Sequence, residues 1–429
     1  MEFPRVLVIS NNSFSKSCSN GRTLGNLFIG WPKDKIAQFC ISTAEPDYDV
    51  CENYYLLTDR SMLTSLTHLA KGARCSMESN YGTAGNTIVG GKKVFKTPFK
   101  ALLRCLVWSN KRWNSREFKQ WVGIFNPEVV LVMNSDATFI LDLARYISRQ
   151  RKIPLVMYNT EGFYFFKHNY LNPSRFFNNT FFSVYQYIYR LHFKAMMKNV
   201  SLSFHLNPLL RDDYSREFNG EHEVLYGASV LHFDKGDLHT EAPVFTYLGN
   251  FGFDRPSALI EVAEVLQSIN PNYRLDVYGK IPRPEIRERF DNCPGLNYKG
   301  VIPYDEVVNV IYNSTILFHV ESQASQYEES LRYGFSTKIA DSICSGHPFL
   351  MYSSKNIAGA RYIIDTGSGW QASDRNELRG EIIEILYNEN ARNKVLDKAQ
   401  FVASENHSIK KNTNIIREKL FSLACENNR

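Results

Sequence analysis

Short apolar runs rich in β-branched residues alternate with helix-like patterns from the start of the chain. Arg5–Ser10, Ile36–Thr43, Asn53–Leu57, Val129–Met133, Pro154–Tyr158, Leu202–Leu206 and Glu223–Tyr226 have the length and composition of strands buried in a sheet. Between the fourth and fifth of these, Ile140, Leu143, Ala144 and Ile147 recur at i, i+3, i+4 and i+7, which predicts an amphipathic helix opened by Ser135 or Asp136. Alternation of this kind predicts a parallel sheet with crossover helices, that is, one doubly wound domain.

The periodicity is lost over residues 230–242, which read as a linker, and then begins afresh. Val244–Leu248, Arg274–Tyr278, Ile316–Val320 and Pro348–Tyr352 are further strands, and Leu259, Val262, Ala263 and Leu266 mark a helix. The fold expected is α/β, with two doubly wound Rossmann-like domains facing a central cleft. They cover 1–229 and 243–400, and 401–429 is a terminal helical segment that can pack back on the N-terminal domain. Ligands of open α/β sheets bind at the carboxyl ends of the strands, so that is where chemistry is sought.

Composition narrows the class without naming it. A chain of 429 residues with 44% hydrophobic and 22% charged residues excludes disorder, a collagen-like repeat and a disulfide mini-scaffold. The net charge of +6 hides an asymmetry: residues 1–200 hold 26 Lys and Arg against 13 Asp and Glu, and the remainder 24 against 31. A basic first half invites an anionic partner, either nucleic acid or a membrane surface. The eight cysteines are scattered without a C-x-x-C pair, so no metal site is expected. Val6–Ile9 is too short for a signal-peptide core and no 18-residue apolar run occurs, so the chain is expected to be cytoplasmic and, at most, peripheral at the inner membrane face.

Phe163–Lys198 stands out, with 13 Phe or Tyr, five Lys or Arg (Lys167, Arg175, Arg190, Lys194, Lys198) and no Asp or Glu. This mixture suits an anionic membrane interface. It equally suits a core helix, since Phe181, Tyr185, Ile188 and Ala195 fall near one face. No helix-turn-helix or RNA-binding signature accompanies the basic residues, so nucleic acid is not expected.

Three strand-end turns of the second domain carry candidate chemistry. Gly249-Asn250 precedes Arg255-Pro256 at a helix start, where glycine lets a ligand approach the backbone and free N–H groups face an anion. Gly279-Lys280 closes another strand. The third turn, Ser336-Thr337-Lys338, opens a helix that Gly346 and Pro348 end. A lysine in the positive first turn is unfavourable unless an anion lies between it and the dipole, and Asp341 follows at i+3. A solvated Lys–Asp pair is the plainer reading of that spacing.

With these motifs in place, the second domain resembles the donor half of GT-B glycosyltransferases, in particular the family 4-like group that builds bacterial capsular and exopolysaccharides. The resemblance spans roughly residues 243–410, and the first domain resembles that group more loosely. Gly249 matches a strand-end glycine and Arg255 the basic position six on, while Asn250 replaces a basic residue. Leu275–Gly279 matches a later strand, Gly300-Val301-Ile302-Pro303 a G-x-V-type turn, and Asp341 to Pro348 the acidic helix before a small-Gly-x-Pro step. The group's two glutamates, seven residues between them, have a decoy in Glu321 and Glu329. Registering on Gly346-His347-Pro348 instead puts Tyr333 at the first acidic position and Asp341 at the second.

The resemblance implies a retaining, metal-independent enzyme that uses a UDP- or GDP-sugar as substrate and needs no cofactor. It transfers to a lipid-linked or oligosaccharide acceptor. Arg255 and Lys338 are then the catalytic cations at the leaving diphosphate. Gly249, Asn250, Gly279, Lys280, Val301, Glu321, Tyr333, Ser336, Thr337 and Asp341 bind the donor, with Asp341 on the ribose.

In the first domain, Asn20, Gly21, Arg22 and Thr23 form a loop after the first strand suited to an acceptor or phosphate, although a plain strand-helix connection has the same look. Glu161 is the only acid between 151 and 200 and ends a strand, so it is the candidate for the acceptor hydroxyl; a carboxylate paired with Lys152 or Lys167 is the alternative. His168 and His319 read as structural hydrogen-bonders. A sugar-nucleotide epimerase of the same architecture and a non-catalytic scaffold remain as other readings.

Overall fold

The computed structural model describes residues 2–16, 18–41, 45–64, 72–75, 97–109, 111–171, 176–236 and 240–427. Ser42 and Thr43 of the expected second strand, Arg175 of the aromatic segment and Asp237–His239 of the expected linker lie outside them. The chain divides into two compact units, Met1–Tyr226 with Asn412–Arg429, and Gly227–Lys411.

The first unit is built on β1 (Val6–Ile9), β2 (Ile36–Cys40), β3 (Tyr54–Leu56), β4 (Ala73–Cys75), β5 (Val129–Met133), β6 (Leu155–Asn159), β7 (Val200–His205) and β8 (Glu221–Val224). Their order is β4-β3-β2-β1-β5-β6-β7-β8, parallel throughout except for the antiparallel β3–β4 pair. Every residue of β1, β2, β5 and β6 is buried, as expected of parallel strands covered on both faces, whereas β8 (Glu-His-Glu-Val) is a half-exposed, charged edge. The helix after β5 begins at Thr138, two to three residues past the expected cap, with the Ser135 hydroxyl accepting from the Ala137 N–H at 3.3 Å. Its four pattern residues are all buried.

The second unit contains β9 (Phe245–Leu248), β10 (Leu275–Tyr278), β11 (Leu296–Gly300), β12 (Ile316–Val320), β13 (Phe349–Tyr352) and β14 (Trp370–Ala372), all parallel in the order β11-β10-β9-β12-β13-β14. Three strands escape the pattern reading. β4 and β14 have three residues each, too few to show a period, and β11 (Leu-Asn-Tyr-Lys-Gly) is an edge strand exposed on alternate residues. One core joins β9, β10, β12 and β13 to helices Arg255–Ile269 and Arg375–Tyr387.

The last helix, Ile409–Asn427, lies against the first unit from Asn412 onward. The Arg417 guanidinium sits 5.4 Å from the Phe3 ring centre, Lys419 bonds both Glu221 (2.7 Å) and Glu223, and Asn427 donates to the Lys152 carbonyl at 2.7 Å. Among the described residues no helix is long and apolar enough to cross a membrane.

Candidate functional site

Strand order reverses between β9 and β12 in the second unit, because β10 and β11 lie to one side of β9 and β12, β13 and β14 to the other. The crevice at such a reversal, outside the carboxyl ends, is where open α/β sheets hold ligands. The turn after β9 and the residues after β12 therefore face the same place.

The turn after β9 is shaped by close backbone packing. Gly249 donates to the Tyr278 carbonyl at 3.0 Å and Gly279 to that of Gly300 at 2.8 Å. Gly279 has φ +153°, and a Cβ there would lie 2.0 Å from the Gly249 carbonyl oxygen, so only glycine fits. Phe253 and Asp254 both adopt left-handed backbone angles (φ 54° and 53°), and the helix starts at Arg255 with Pro256 in its first turn. Lys280 and Val301 are exposed beyond β10 and β11.

Arg255 is almost fully buried (9% exposed) and tied on every side. Its Nη2 donates to Glu321 Oε1 at 2.8 Å, Nε to the Val320 carbonyl at 3.2 Å, and Nη1 to Asn250 Oδ1 at 2.5 Å. Glu321 Oε2 lies 2.6 Å from the same Nη2, an ionic contact without hydrogen-bond alignment. His319, two residues back on the same face of β12, places Nε2 3.2 Å from Glu321 Oε1. Burial pulls the Glu321 carboxyl upward in pKa, but the His319 bond and the Arg255 charge outweigh it and hold it below its ordinary value. Asn250, at the position where the resembling group has a cation, thus orients Arg255. Glu321 joins the end of β12 to the turn after β9.

Helix Thr337–Ser345 points its amino terminus at the same edge of the sheet. Ser336 caps it, its hydroxyl accepting from the Lys338 N–H at 3.3 Å, and Gly346 ends it in a left-handed conformation (φ 84°). Thr337 and Lys338 are half-buried in the first turn. Asp341 is buried rather than half of a solvated pair, and its Oδ1 accepts from the Ser229 hydroxyl at 2.7 Å. Tyr333 is buried beneath the Arg332 guanidinium, 5.4 Å from its ring centre. A pocket of about 320 Å³ adjoins Glu321 at the ends of β12, β13 and β14, lined by Ser322, Glu328, Leu331, Ser354, Lys355 and Ser373 among others.

In the first unit, strand order reverses between β1 and β5. The loop after β1 is anchored by buried Gln38, whose amide donates to the Ser10 hydroxyl (2.8 Å) and accepts from the Phe14 N–H (2.8 Å). Asn20, Gly21, Arg22 and Thr23 are not the loop expected of them but part of helix Ser19–Asn26, and in its first turn a Cβ on Gly21 would meet the Ser13 carbonyl oxygen at 2.3 Å. Asn20 is exposed, Arg22 is half-buried, and the Thr23 hydroxyl bonds the Ser19 carbonyl at 3.0 Å. Glu161 is half-buried two residues past β6. Much of the aromatic segment is interior: Tyr164, Phe166, Phe182, Tyr185, Tyr189 and Phe193 are buried.

No protein-family model matches the sequence, and no curated protein matches it. Solved structures do. HepE of Anabaena in complex with UDP superposes with a TM-score of 0.64 at 12% identity, over 97% of this chain and 100% of that one. Sucrose-phosphate synthase from Thermosynechococcus elongatus gives 0.59 at 12% identity, over 97% and 99%. The chain has the GT-B fold. A Listeria monocytogenes protein assigned as a UDP-N-acetylglucosamine 2-epimerase is also similar, with a TM-score of 0.51 at 10% identity over 97% and 95%. At such identities the likeness carries architecture and nothing about substrates.

Two residues of this site had little signal in the sequence. His319 shares the face of Glu321 through the strand period of two, which a reading of it as an isolated histidine overlooks. Ser229 reaches Asp341 across 112 residues, and no local pattern announces that contact.

Proposed function

We propose that this chain is a glycosyltransferase that takes a sugar from a UDP- or GDP-sugar, without a metal and with retention, to a lipid-linked or oligosaccharide acceptor in surface polysaccharide synthesis. The observation that carries the reading is the pairing of two helix amino termini, each with a cation in its first turn (Arg255 and Lys338), at the strand-order reversal of the second unit. Negative charge develops on the leaving diphosphate during transfer, and preorganised donors at such a place lower that barrier. Glu321 already offsets much of the Arg255 charge, so the larger share is assigned to Lys338 and the amides of its helix. Arg255 holds the Gly249–Asp254 turn in shape. Asp341 is assigned to the nucleotide ribose and Glu161 to the acceptor hydroxyl.

The neighbours named with UDP, and the fold they share with this chain, support this reading. The Glu321–His319 contact, at the strand-order reversal of the second unit, would also suit an epimerase, which needs a carboxylate or imidazole to move a proton. Thermal stabilisation and donor turnover across a set of UDP- and GDP-sugars test the proposal. Released nucleotide with intact sugar configuration supports transfer, an epimerised sugar nucleotide supports the alternative, and no response to any nucleotide sinks both.

A further inference from the structure

Helices Pro98–Ser109 and Phe176–Met197 of the first unit pack on each other, with the rings of Phe99 and Phe181 5.2 Å apart. Their inner faces are satisfied: Ala101, Phe182 and Tyr185 share a buried cluster with Phe166, and Leu102 and Cys105 pack against it. Each helix nevertheless carries a second apolar stripe facing solvent. Phe99, Leu103 and Leu106 recur at i, i+4 and i+7, and Val184, Tyr187 and Leu191 at i, i+3 and i+7, each trio within about 60° of arc. All six are exposed, Leu106 and Tyr187 by about two-thirds (67% and 65%). Single exposed apolar residues are ordinary, but six on two adjoining helices form a patch that folding does not require.

The charge that the two helices themselves bring to the patch is basic, although carboxylates of neighbouring elements pair with part of it, Asp59 with Arg104 and Asp142 with His192. Neither helix contains Asp or Glu. Exposed Lys100 follows Phe99, Lys194 stands seven residues after Tyr187, and Lys198 seven after Leu191. Lys194 is partly offset by Glu217 at 3.4 Å. Two copies meeting through this face would set lysines against lysines, whereas an anionic lipid surface complements both the stripe and the cations. We propose that this two-helix face docks on an anionic phospholipid bilayer, with the apolar stripes at the headgroup boundary and the lysines among lipid phosphates. The surface differs from the segment that composition alone singles out: six of the eleven aromatic side chains described in Phe163–Lys198 are buried, and half of the docking face comes from Pro98–Ser109. The inference is independent of the donor chemistry.

Flotation of the full chain with phosphatidylcholine–phosphatidylglycerol vesicles, against phosphatidylcholine alone, tests it. Binding is expected only with the anionic lipid and is expected to weaken as salt rises. Leu106→Glu and Tyr187→Glu should each weaken it by roughly tenfold or more, and Lys100→Gln and Lys198→Gln by about fivefold each. These positions are exposed, so melting temperature and any stabilisation by nucleotide sugars should stay as in the parent. Three results overturn the proposal. They are no flotation with anionic vesicles, equal flotation of the glutamate variants, and a concentration-dependent dimer that Leu106→Glu abolishes, which would make the face a contact between copies.

Discussion

Replacing Arg255 by alanine removes the cation from a carboxylate that is only 5% exposed. Glu321 keeps the His319 bond but loses both guanidinium contacts, and the Val320 carbonyl and Asn250 amide oxygen lose a donor. Breaking a buried pair by removing one partner typically costs about 3–5 kcal/mol. For a unit the size of Gly227–Lys411, melting shifts by about 2–4 °C per kcal/mol, so the variant should melt about 6–20 °C lower at neutral pH. The Glu321 contribution responds to acid in opposite directions in the two proteins. In the parent, Glu321 has a lowered folded pKa, so its stabilisation is full above the unfolded value near 4.5 and is lost as pH falls through the folded one. In Arg255→Ala burial dominates and raises that pKa, so protonation relieves the penalty and the deficit relative to the parent should shrink as the pH is lowered toward the carboxyl range. The double variant Arg255→Ala/Glu321→Gln removes the stranded charge and should regain most of the lost melting temperature. Calorimetry or fluorescence-detected melting across pH reads all of this. A single variant melting within about 2 °C of the parent, or a double variant no better than the single, would refute the buried-pair account.

Lys338→Ala should leave melting nearly unchanged and lower donor turnover by about 10²–10³, measured as nucleotide release; undiminished turnover would remove Lys338 from the diphosphate site. Asp341→Asn is expected to act mainly on donor KM, with Ser229→Ala producing a smaller shift of the same kind, both read from initial rates over a donor series. Gly279→Ala should destabilise the second unit by about 1–3 kcal/mol, since the backbone angle and the Gly249 carbonyl both exclude a side chain. His407 is fully buried, held by the Gly227 carbonyl (2.8 Å) and the Tyr362 hydroxyl (2.9 Å), and burial lowers its pKa to about 4. The unfolded chain then binds the proton first, so stability should fall by up to about 3 kcal/mol between roughly pH 6.5 and 4, and His407→Gln should flatten that limb in acid titrations followed by circular dichroism.

The residue pattern determined the fold class because parallel strands covered on both faces must be continuous apolar runs, as β1, β2, β5 and β6 are; the expected edge strand Glu223–Tyr226, charged and half-exposed, overlaps β8 by only two residues. It also located the turns that end β9 and β10 and the cap of helix Thr337–Ser345, because glycine, serine and proline act within a few residues of where they stand. What only tertiary structure decided is which side chains meet. Arg255 and Glu321 are 66 residues apart and Ser229 and Asp341 112, and each pair is joined by the way strands order themselves in a sheet. The same holds for the aromatic segment. Composition marks Phe163–Lys198 as unusual, but the packing of its helix against Pro98–Ser109 decides which rings are core and which face solvent, because burial belongs to a surface shared by two elements and is not written in either one alone.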